Sequence, residues 1–492
     1  MVHGKQMKEL PIHIQLDPKS SKTLYEQIYE YIREEIRAGR LLQDEKLPSA
    51  RFLAQDLQVS RTTVDMAYGQ LVAEGYLAAR PKRGYFVSAL EDLYELKSDS
   101  FAGERMEETG VEGRQARTRS DVCRYDFSPN VIDMRFFPYA TWKKITRNIL
   151  VDAKSQMFAL GVPQGDLELR TTICRYLHGS RGVNCEPEQI IVGAGNDFLL
   201  LLLEKILGRH IHVAMENPTY VRAYKIFRSF AYPVSLIPVD EKGIRVDVLG
   251  KTDAKIAYVM PSHQYPTGVS MPIGRRMELL KWAAEGKERY LIEDDYDSEF
   301  RYKGKPLPSL QASDTAGRVI YIGTFSKAIA PAIRISYMVL PYPLLERYRQ
   351  ECGFFSSSVS RIDQTILNEF IRDGYFERYL NKMRKQYRMK HDLLLSEIRP
   401  LERHFRVTGG NAGLHVLLTD TRGRSEEELE QAARLQNVRT YRLGEFRLGE
   451  SSAWDGTEEG GFLTSPTMIL GYGGMSMEDI REGINILKKV WS

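Results

Sequence analysis

Apolar positions at helical spacing dominate the first eighty residues of the chain. A first helix is predicted over residues 23–38, and its apolar face consists of Leu24, Ile28, Tyr31, Ile32 and Ile36. Two shorter helices follow, with Ser49 and Ser60 as their capping residues. The inward face of the last one consists of Val64, Ala67, Tyr68 and Leu71. Two short helices that meet at the turn Gln58-Val59 indicate a helix-turn-helix whose third helix reads DNA.

After Gly75 the helical spacing gives way to two short strands. They cover Tyr76–Ala79 and Tyr85–Val87, and the basic turn over residues 80–84 joins them. A hairpin of this kind behind a helix-turn-helix is typical of a winged helix.

From residue 121 onward, short apolar runs alternate with helical stretches. The runs, which predict buried strands, are Gln189–Gly193, His210–Met215, Lys255–Met260, Tyr290–Glu293 and Val319–Ile322. The stretches Phe198–Leu207, Tyr220–Phe230 and Arg275–Glu285 lie between them. This alternation predicts an α/β fold with a doubly wound sheet.

Residues between these two parts are poor in apolar side chains and rich in glycine and charge. Such a segment cannot bury a core and is expected to be a linker. The sequence therefore predicts a DNA-binding domain over 21–89, a linker over 90–122 and an effector domain over 123–492.

Composition and charge exclude only a few classes of function. The 492 residues carry a net charge of +4, and charge within residues 1–90 is nearly balanced, so DNA binding needs a local argument. The 4 cysteines lie far apart without metal-ligand spacing, so no metal is predicted and a reducing, cytoplasmic location is favoured. The start of the chain has no signal-peptide pattern, and the run Phe198–Leu203 is too short to cross a membrane.

The local argument for DNA rests on two groups of residues. Arg61, Thr62 and Thr63 begin the reading helix, where side chains and free N–H groups meet bases and phosphates. The turn between the strands concentrates positive charge through Arg80, Lys82 and Arg83. On periodicity alone, a small helical domain with incidental charges remains the alternative.

In the second part, a polar cluster follows each predicted strand. These clusters are Gly193–Asp197, Glu216–Pro218, Pro261–Gln264, Asp294–Asp297 and Ser326-Lys327. Because open α/β sheets bind ligands at the carboxyl ends of their strands, the clusters predict one site at that edge.

The clusters suit pyridoxal phosphate. A glycine turn at Gly195-Asn196 opens a helix and presents N–H groups to a phosphate, which Ser326 and Arg334 would also hold. The amine of Lys327 can hold the aldehyde as a Schiff base. Asp294 can keep the pyridine nitrogen protonated, so that the ring acts as an electron sink.

Each of these assignments has an alternative. Tyr296 could donate to the phenolic oxygen of the ring, but the acidic run around Asp294 also suits Mg²⁺. Tyr220 could stack on the pyridine ring or be a core tyrosine. His263 could hydrogen-bond near the ring oxygen or be an ordinary loop histidine.

The first part closely resembles the GntR-type winged helix. The motifs that carry the likeness are Leu47-Pro48-Ser49-x-Arg51-x-Leu53-Ala54, Val59-Ser60-Arg61-x-Thr63-Val64, Glu74-Gly75-Tyr76 and Gly84-x-Phe86-Val87. The resemblance implies DNA binding through Arg51, Ser60, Arg61, Thr63 and Gly84.

Residues from about 123 to 492 resemble a fold type I aminotransferase, which adds a smaller C-terminal α+β subdomain. The likeness lies in Pro261–Gly268, Glu293–Phe300, Thr324-x-Ser326-Lys327 and Asn411–His415. An aminotransferase-like part that follows a GntR-type winged helix resembles the MocR subfamily of bacterial regulators. That resemblance implies a head-to-tail homodimer, with Lys327 as the Schiff-base lysine, Asp294 as the pyridinium partner and Arg334 as the phosphate arginine.

The chain departs from the aminotransferases in two places. Tyr265 stands where they usually have asparagine, so the usual hydrogen bond to the ring oxygen must come from elsewhere. They also bind the substrate carboxylate with a C-terminal arginine, for which the candidates are Arg439, Arg442 and Arg447. Arg222 is a further candidate for an effector carboxylate.

The leading hypothesis is a pyridoxal-phosphate-dependent transcriptional regulator that binds operator DNA. It would sense an amino compound, or the cofactor itself, through the Lys327 aldimine, with weak or absent steady-state transamination. The alternative is an active aminotransferase that carries a DNA-binding module.

Overall fold

The chain forms two compact units, residues 1–114 and 115–492. The computed structural model describes residues 14–17, 20, 22–80, 83–88, 123–151, 155–301, 307–410, 412–449 and 465–492. The predicted linker over 90–122 lies outside the described residues.

The first unit is a three-helix domain with a β-hairpin. Its elements are α1 (Leu24–Arg37), α2 (Ala50–Asp56), α3 (Arg61–Ala73), β1 (Leu77–Arg80) and β2 (Gly84–Val87). The strands are antiparallel and end in the pair Arg80↔Gly84. Because the apolar faces of the helices converge, Ile28, Ile32, Val64 and Tyr68 are fully buried.

Both predicted helix caps are confirmed in this unit. Ser49 Oγ accepts a hydrogen bond from the Phe52 N–H, and Ser60 Oγ accepts one from the Thr63 N–H. The predicted inward face of α3 is confirmed as well, since Val64, Ala67, Tyr68 and Leu71 are all 0% exposed.

An eight-stranded sheet forms the centre of the second unit. Its strands are β4 (Ile190–Gly193), β5 (Val213–Asn217), β6 (Val234–Asp240), β7 (Gly243–Ile244), β8 (Ile256–Val259), β9 (Tyr290–Asp295), β10 (Val319–Thr324) and β11 (Ser336–Val339), after a short β3 (Tyr125–Asp126). Their order is β4-β11-β10-β9-β8-β5-β6-β7. The central pairs are parallel, whereas β11 is antiparallel to both neighbours and β7 to β6.

A smaller antiparallel sheet follows in the chain. Its strands β12 (Phe405–Thr408), β13 (His415–Asp420), β15 (Tyr441–Arg442) and β16 (Thr467–Gly471) run in the order β12-β13-β16-β15, while β14 (Val438–Arg439) pairs with β3. The helices of the second unit are α4 (Tyr139–Val151), α5 (Leu167–Arg181), α6 (Asn196–Leu207), α7 (Val221–Ser229), α8 (Val246–Leu249), α9 (Ile273–Glu285), α10 (Phe325–Ala328), α11 (Tyr342–Cys352), α12 (Arg361–Arg372), α13 (Tyr375–Ile398), α14 (Glu426–Arg434) and α15 (Met477–Trp491).

The predicted doubly wound sheet is confirmed, and each of the five apolar runs overlaps a strand of it. Three of the runs end two residues short, since β5, β9 and β10 continue to Asn217, Asp295 and Thr324. Sequence reasoning missed β6, β7 and β11 of this sheet. Within the described residues, no helix combines the length and apolar character that a membrane crossing requires.

Candidate functional site

A cavity of about 400 Å³ lies at the carboxyl ends of β9 and β10. It is lined by Asn130, Ile132, Asn196, Asp197, Tyr220, Arg222, Met260, Tyr265, Asp294, Tyr296, Thr324, Ser326, Lys327, Pro331 and Arg334. Residues far apart in the chain meet here because parallel β8, β9 and β10 all end at this edge. Seven of the predicted site residues line the cavity together with the candidate Arg222.

At one end of the cavity, a guanidinium group approaches the start of a helix, an arrangement that suits an anion. Gly195 precedes α6 with φ 91°, and a Cβ placed there would lie 2.3 Å from Arg334 Nη2. The guanidinium therefore approaches the start of the helix at a point that only glycine leaves open. Arg334 itself has φ 50°, an uncommon conformation for a side-chain-bearing residue that directs it to this position.

Two buried polar atoms face the same region. Among the described residues, Ser326 Oγ and Asn196 Oδ1 have no hydrogen-bond partner. Buried polar groups are nearly always paired, so this end of the cavity offers hydrogen bonds that a bound group would use. The side chain of Asp197 lies 3.8 Å from Arg334 and 3.2 Å from Arg222, linking the two arginines.

Asp294 lies deep in the cavity wall. The Tyr258 hydroxyl donates a hydrogen bond to Asp294 Oδ2, and Asn196 Nδ2 lies 3.4 Å from Asp294 Oδ1. Burial raises the pKa of Asp294 to about 7, although the Tyr258 hydrogen bond opposes this shift. A cation beside this carboxyl group would hold it in the ionised form.

Lys327 reaches the cavity from the short helix α10, which directly follows β10. Its Nζ donates to the carbonyl oxygen of Pro129 over 3.2 Å and lies 5.3 Å from the centre of the Tyr296 ring. Burial lowers the pKa of Lys327, and the charge of Asp297 opposes this shift. A lowered pKa increases the fraction of neutral amine, which is the nucleophilic form.

His263 lies behind Tyr296. Its Nδ1 is 2.9 Å from the Tyr296 hydroxyl and 3.0 Å from Asp297 Oδ2. Burial raises the pKa of Asp297, but the His263 ring and the Lys327 amine outweigh this effect and lower it. In the described residues, His263 thus contacts Tyr296 rather than the cavity itself.

The acidic run does not converge on one point. Asp295 pairs with Arg181 over 2.7 Å and Asp297 contacts His263, while Asp294 faces Tyr258. Because the three carboxylates turn to different partners, the Mg²⁺ alternative gains no support from the geometry.

Sequence reasoning missed several contributors to this site. Asn130 and Ile132 come from the segment before α4, and the Pro129 carbonyl contacts Lys327. Tyr258 contacts Asp294 from the neighbouring strand β8. The sequence shows only that Tyr258 lies in the predicted strand Lys255–Met260. Its contact with Asp294 follows only when the register between β8 and β9 is known.

The structure places Arg442 elsewhere. Its guanidinium pairs with Glu427 over 2.5 Å, Glu430 over 3.0 Å and Glu445 over 3.2 Å. The lining formed by the described residues does not include it. Arg222 does line the cavity, and its side chain is 48% exposed.

The first unit carries its predicted DNA-contacting residues at the start of α3. Ser60 Oγ lies 2.8 Å from Thr63 Oγ1, so both hydroxyls are fixed at the cap. Arg61 and Thr62 are exposed, and Arg61 Nε lies 3.3 Å from Asp65 Oδ2. Arg51 is exposed in the first turn of α2.

The hairpin holds its basic residues over one aromatic ring. The guanidinium groups of Arg80 and Arg83 lie 4.4 and 6.0 Å from the centre of the Phe86 ring. Arg80 also pairs with Asp44 over 2.5 Å. Gly84 has φ 106°, whereas Lys82 lies outside the described residues.

Lys46, which precedes α2 in the chain, contacts the hairpin and was missed by sequence reasoning. It forms a β-bridge with Phe86, and its Nζ lies 6.0 Å from the centre of the Phe86 ring. Lys46 therefore adds a third positive charge beside Arg80 and Arg83.

Two family descriptions match the two parts of the chain. Residues 24–87 match "Bacterial regulatory proteins, gntR family", and residues 132–454 match "Aminotransferase class I and II".

Several relatives match this chain over most of their own length. The Bacillus subtilis protein named "Uncharacterized HTH-type transcriptional regulator YdeL" is 40% identical over 95% of this chain and 96% of its own length. The "Probable rhizopine catabolism regulatory protein MocR" of Rhizobium meliloti is 32% identical over 97% and 95%. The "HTH-type pyridoxine biosynthesis transcriptional regulator PdxR" of Corynebacterium glutamicum is 32% identical over 84% and 86%.

Solved structures match the second unit. An archaeal alanine:glyoxylate aminotransferase superposes with a TM-score of 0.66 and 25% identity over 75% of this chain and 90% of its own. A multiple substrate aminotransferase from Thermococcus profundus gives 0.64 and 26% over 75% and 91%. The large sheet with its helices is therefore the aminotransferase fold.

Proposed function

We propose a ligand-sensing mechanism for this chain, which belongs to the MocR subfamily of GntR-type transcriptional regulators. In this proposal the aminotransferase-like domain binds pyridoxal phosphate and senses an amino compound or the cofactor itself. The observation that carries it is that Asp294, Lys327 and Arg334 line one cavity.

The residues of the cavity fit pyridoxal phosphate. The phosphate would lie at the start of α6, held by Arg334, Ser326 and the N–H groups of Gly195 and Asn196. Ser326 Oγ and Asn196 Oδ1 are buried and have no hydrogen-bond partner within the described residues, which supports a bound group at this place. A methyl group at Gly195 would collide with this guanidinium.

The remaining contacts follow from the same placement. Asp294 would face the pyridine nitrogen, and Tyr220 would stack on the ring. Tyr296, positioned by His263 and Asp297, would donate to the phenolic oxygen. Pyridoxal phosphate supplies an aldehyde that condenses with amines and a ring that accepts electrons.

The protonation states of Lys327 and Asp294 suit that chemistry. Burial lowers the pKa of Lys327 and keeps more of its amine neutral. Because the pKa of Asp294 is raised, its carboxyl group needs a cationic nitrogen beside it to stay ionised at neutral pH. Arg222, half exposed at the cavity mouth, is the candidate for binding an effector carboxylate.

The output of the regulator is operator binding by the winged helix. The proposed contacts are Arg51, Ser60, Arg61, Thr62, Thr63, Arg80, Lys82, Arg83 and Gly84. An effector changes operator affinity only if it favours one arrangement of the two units over another. The head-to-tail homodimer and the cytoplasmic location remain predictions.

An amine panel tests the sensing function. Amines, D- and L-amino acids and ω-amino acids are titrated into the cofactor-loaded protein while absorbance is recorded, and promoter footprinting follows on the same samples. We expect one chemical class to change both the absorbance and the footprint. A panel in which absorbance changes without any effect on DNA binding would contradict the sensing function.

A second candidate, an active aminotransferase with a DNA-binding module, is favoured by the complete set Asp294, Lys327 and Arg334 at the cavity. Steady-state turnover with amino acids and 2-oxoacids separates the two. Rapid multiple turnover that Lys327→Ala abolishes would favour the enzyme. A half-reaction without turnover would favour the regulator.

A further inference from the structure

Three soft or borderline metal ligands meet away from the cavity. Cys174 and His178 occupy positions i and i+4 of α5, so they share one face near its C-terminal end. Cys185 follows in the loop between α5 and β4. The sequence spacing suggested no metal site, because the chain reversal after Arg181 is what brings the third ligand back.

The separations between the ligand atoms match those around a tetrahedral ion. Cys174 Sγ lies 4.0 Å from Cys185 Sγ and 3.7 Å from His178 Nε2. All three ligand atoms lie within 4.8 Å of one another. Zinc bonds of about 2.3 Å to sulfur and 2.0–2.1 Å to nitrogen imply separations of about 3.8 Å for S–S and about 3.6 Å for S–N. The two separations measured from Cys174 Sγ differ from these by only a few tenths of an ångström.

The surroundings suit a cation that binds thiolates. Cys174 and Cys185 are 5% and 2% exposed. A thiolate sulfur buried to this degree requires a positive partner. The exposed His178 forms the solvent side of the cluster and gives an ion a path to the sulfurs.

Binding would exchange protons for the ion. Cys174 Sγ now donates to the Cys185 carbonyl oxygen over 3.1 Å, and His178 Nε2 lies 2.8 Å from the same oxygen. An ion between the ligand atoms would replace both thiol protons and take the lone pair of Nε2, leaving the ring proton on Nδ1. Two protons would leave for each ion bound.

We propose that Cys174, His178 and Cys185 form a zinc site with three protein ligands and a fourth position open to water. The site connects α5 to the loop before β4. Arg181 in the same helix pairs with Asp295, and β4 leads to the turn at Gly195. Zinc would therefore stabilise the two segments that support the back and the phosphate end of the cavity.

Zinc content and cobalt spectra test the site on the untagged full-length chain. We expect about one zinc per chain by plasma mass spectrometry after dialysis. Cobalt added to the metal-free protein should give the d–d and thiolate charge-transfer bands of a tetrahedral site. The variants His178→Ala and Cys174→Ser should lose both signals.

Matched variants distinguish loss of the zinc site from loss of any buried thiol and from unfolding. Cys352→Ser removes another buried thiol, at the end of α11, and should retain full zinc binding. Because His178 is exposed, His178→Ala should remain folded, which circular dichroism checks. Wild-type protein with no more zinc than His178→Ala would overturn the proposal, and so would an equal loss in Cys352→Ser. A Cys174–Cys185 disulfide in the freshly isolated protein would also overturn it.

Discussion

Two glycines at the ends of α6 have nearly the same backbone conformation but different neighbours. Gly195 has φ 91° and ψ 168°, and Gly208 has φ 96° and ψ 178°. A Cβ at Gly195 would lie 2.3 Å from Arg334 Nη2, whereas a Cβ at Gly208 meets no heavy atom of the described residues within 4 Å. The two positions therefore separate backbone strain from loss of the proposed phosphate site.

Gly195→Ala should weaken pyridoxal phosphate binding by about tenfold or more, because the new methyl group displaces the Arg334 guanidinium. Gly208→Ala should leave cofactor affinity unchanged. Both variants should lose about 1–3 kcal/mol of unfolding free energy from the strained φ. Equilibrium titration of the cofactor gives the comparison, and equal affinities in the two variants would contradict the placement of the phosphate.

Glu216 is a buried carboxyl group whose titration should be visible in stability. It is 0% exposed at the end of β5, where Glu216 Oε2 accepts a hydrogen bond from the Met260 N–H over 3.1 Å. Burial raises its pKa to about 8. A raised pKa in the folded state means that the folded protein binds this proton more tightly than the unfolded chain does.

The contribution of Glu216 to stability is therefore present below about pH 4 and is lost as the pH rises to about 8. Glu216→Gln mimics the protonated form and removes this dependence. We expect the unfolding free energy of the wild type, relative to the variant, to fall by roughly 3–5 kcal/mol across that range. Chemical denaturation at several pH values measures the difference.

The exposed residue Glu285 supplies the control for that experiment. Its side chain is 63% exposed on α9, so Glu285→Gln should leave the pH profile of the wild type in place. A Glu216→Gln profile parallel to that of the wild type would mean that Glu216 does not titrate in this range.

At the residue scale, sequence patterns predicted the site residues that directly follow a strand. They missed the residues whose contacts depend on the register between neighbouring strands. Lys327 and Arg334 come after one apolar run, and both line the cavity. The hydrogen bond from Tyr258 to Asp294 depends on how β8 and β9 are aligned, which periodicity does not determine. Arg442 was a candidate only because the aminotransferases that the chain resembles use a C-terminal arginine. Its partners Glu427 and Glu430 come from α14, which no local pattern connects to Arg442.

At the scale of elements, α3 combines a fixed start with an exposed face. Ser60 caps it, and Arg61 extends from its first turn with a side chain that is 71% exposed. Arg61→Ala should weaken operator binding by about 1–3 kcal/mol if the guanidinium reads a guanine. Fluorescence anisotropy with operator and with scrambled DNA measures the change.

Arg37 provides the matched control, since it is an exposed arginine in the last turn of α1, outside the reading helix. Arg37→Ala should change operator affinity much less than Arg61→Ala does. Equal losses would point to a general electrostatic effect, and an unchanged affinity for Arg61→Ala would remove Arg61 from the DNA contacts.

Strands that were missed from sequence have identifiable reasons. The strand β6 contains Pro238, and proline inside a run argues against a strand. It is tolerated here at the position paired with Asn217, near the edge of the sheet where only the two-residue β7 follows. The strand β11 has only four residues and pairs antiparallel with both neighbours, which an alternation of strands and helices does not predict.

For the whole molecule, linkage between the two units gives a quantitative expectation. If the effector favours one arrangement of the units, operator affinity should change by about 5- to 150-fold when it binds, which corresponds to 1–3 kcal/mol. Lys327→Ala should keep its basal operator affinity and lose this response. Operator titrations with and without the active amine measure both quantities, and a full response in Lys327→Ala would contradict sensing through Lys327.

The most direct measurement of the central claim is an absorbance titration of the cofactor-free protein with pyridoxal phosphate. The wild type should develop a visible band that saturates at about one cofactor per chain. Lys327→Ala should lack the band, whereas Lys281→Ala, at an exposed lysine of α9, should retain it. A wild type that stays colourless, or a Lys327→Ala variant with the same band, would contradict the account.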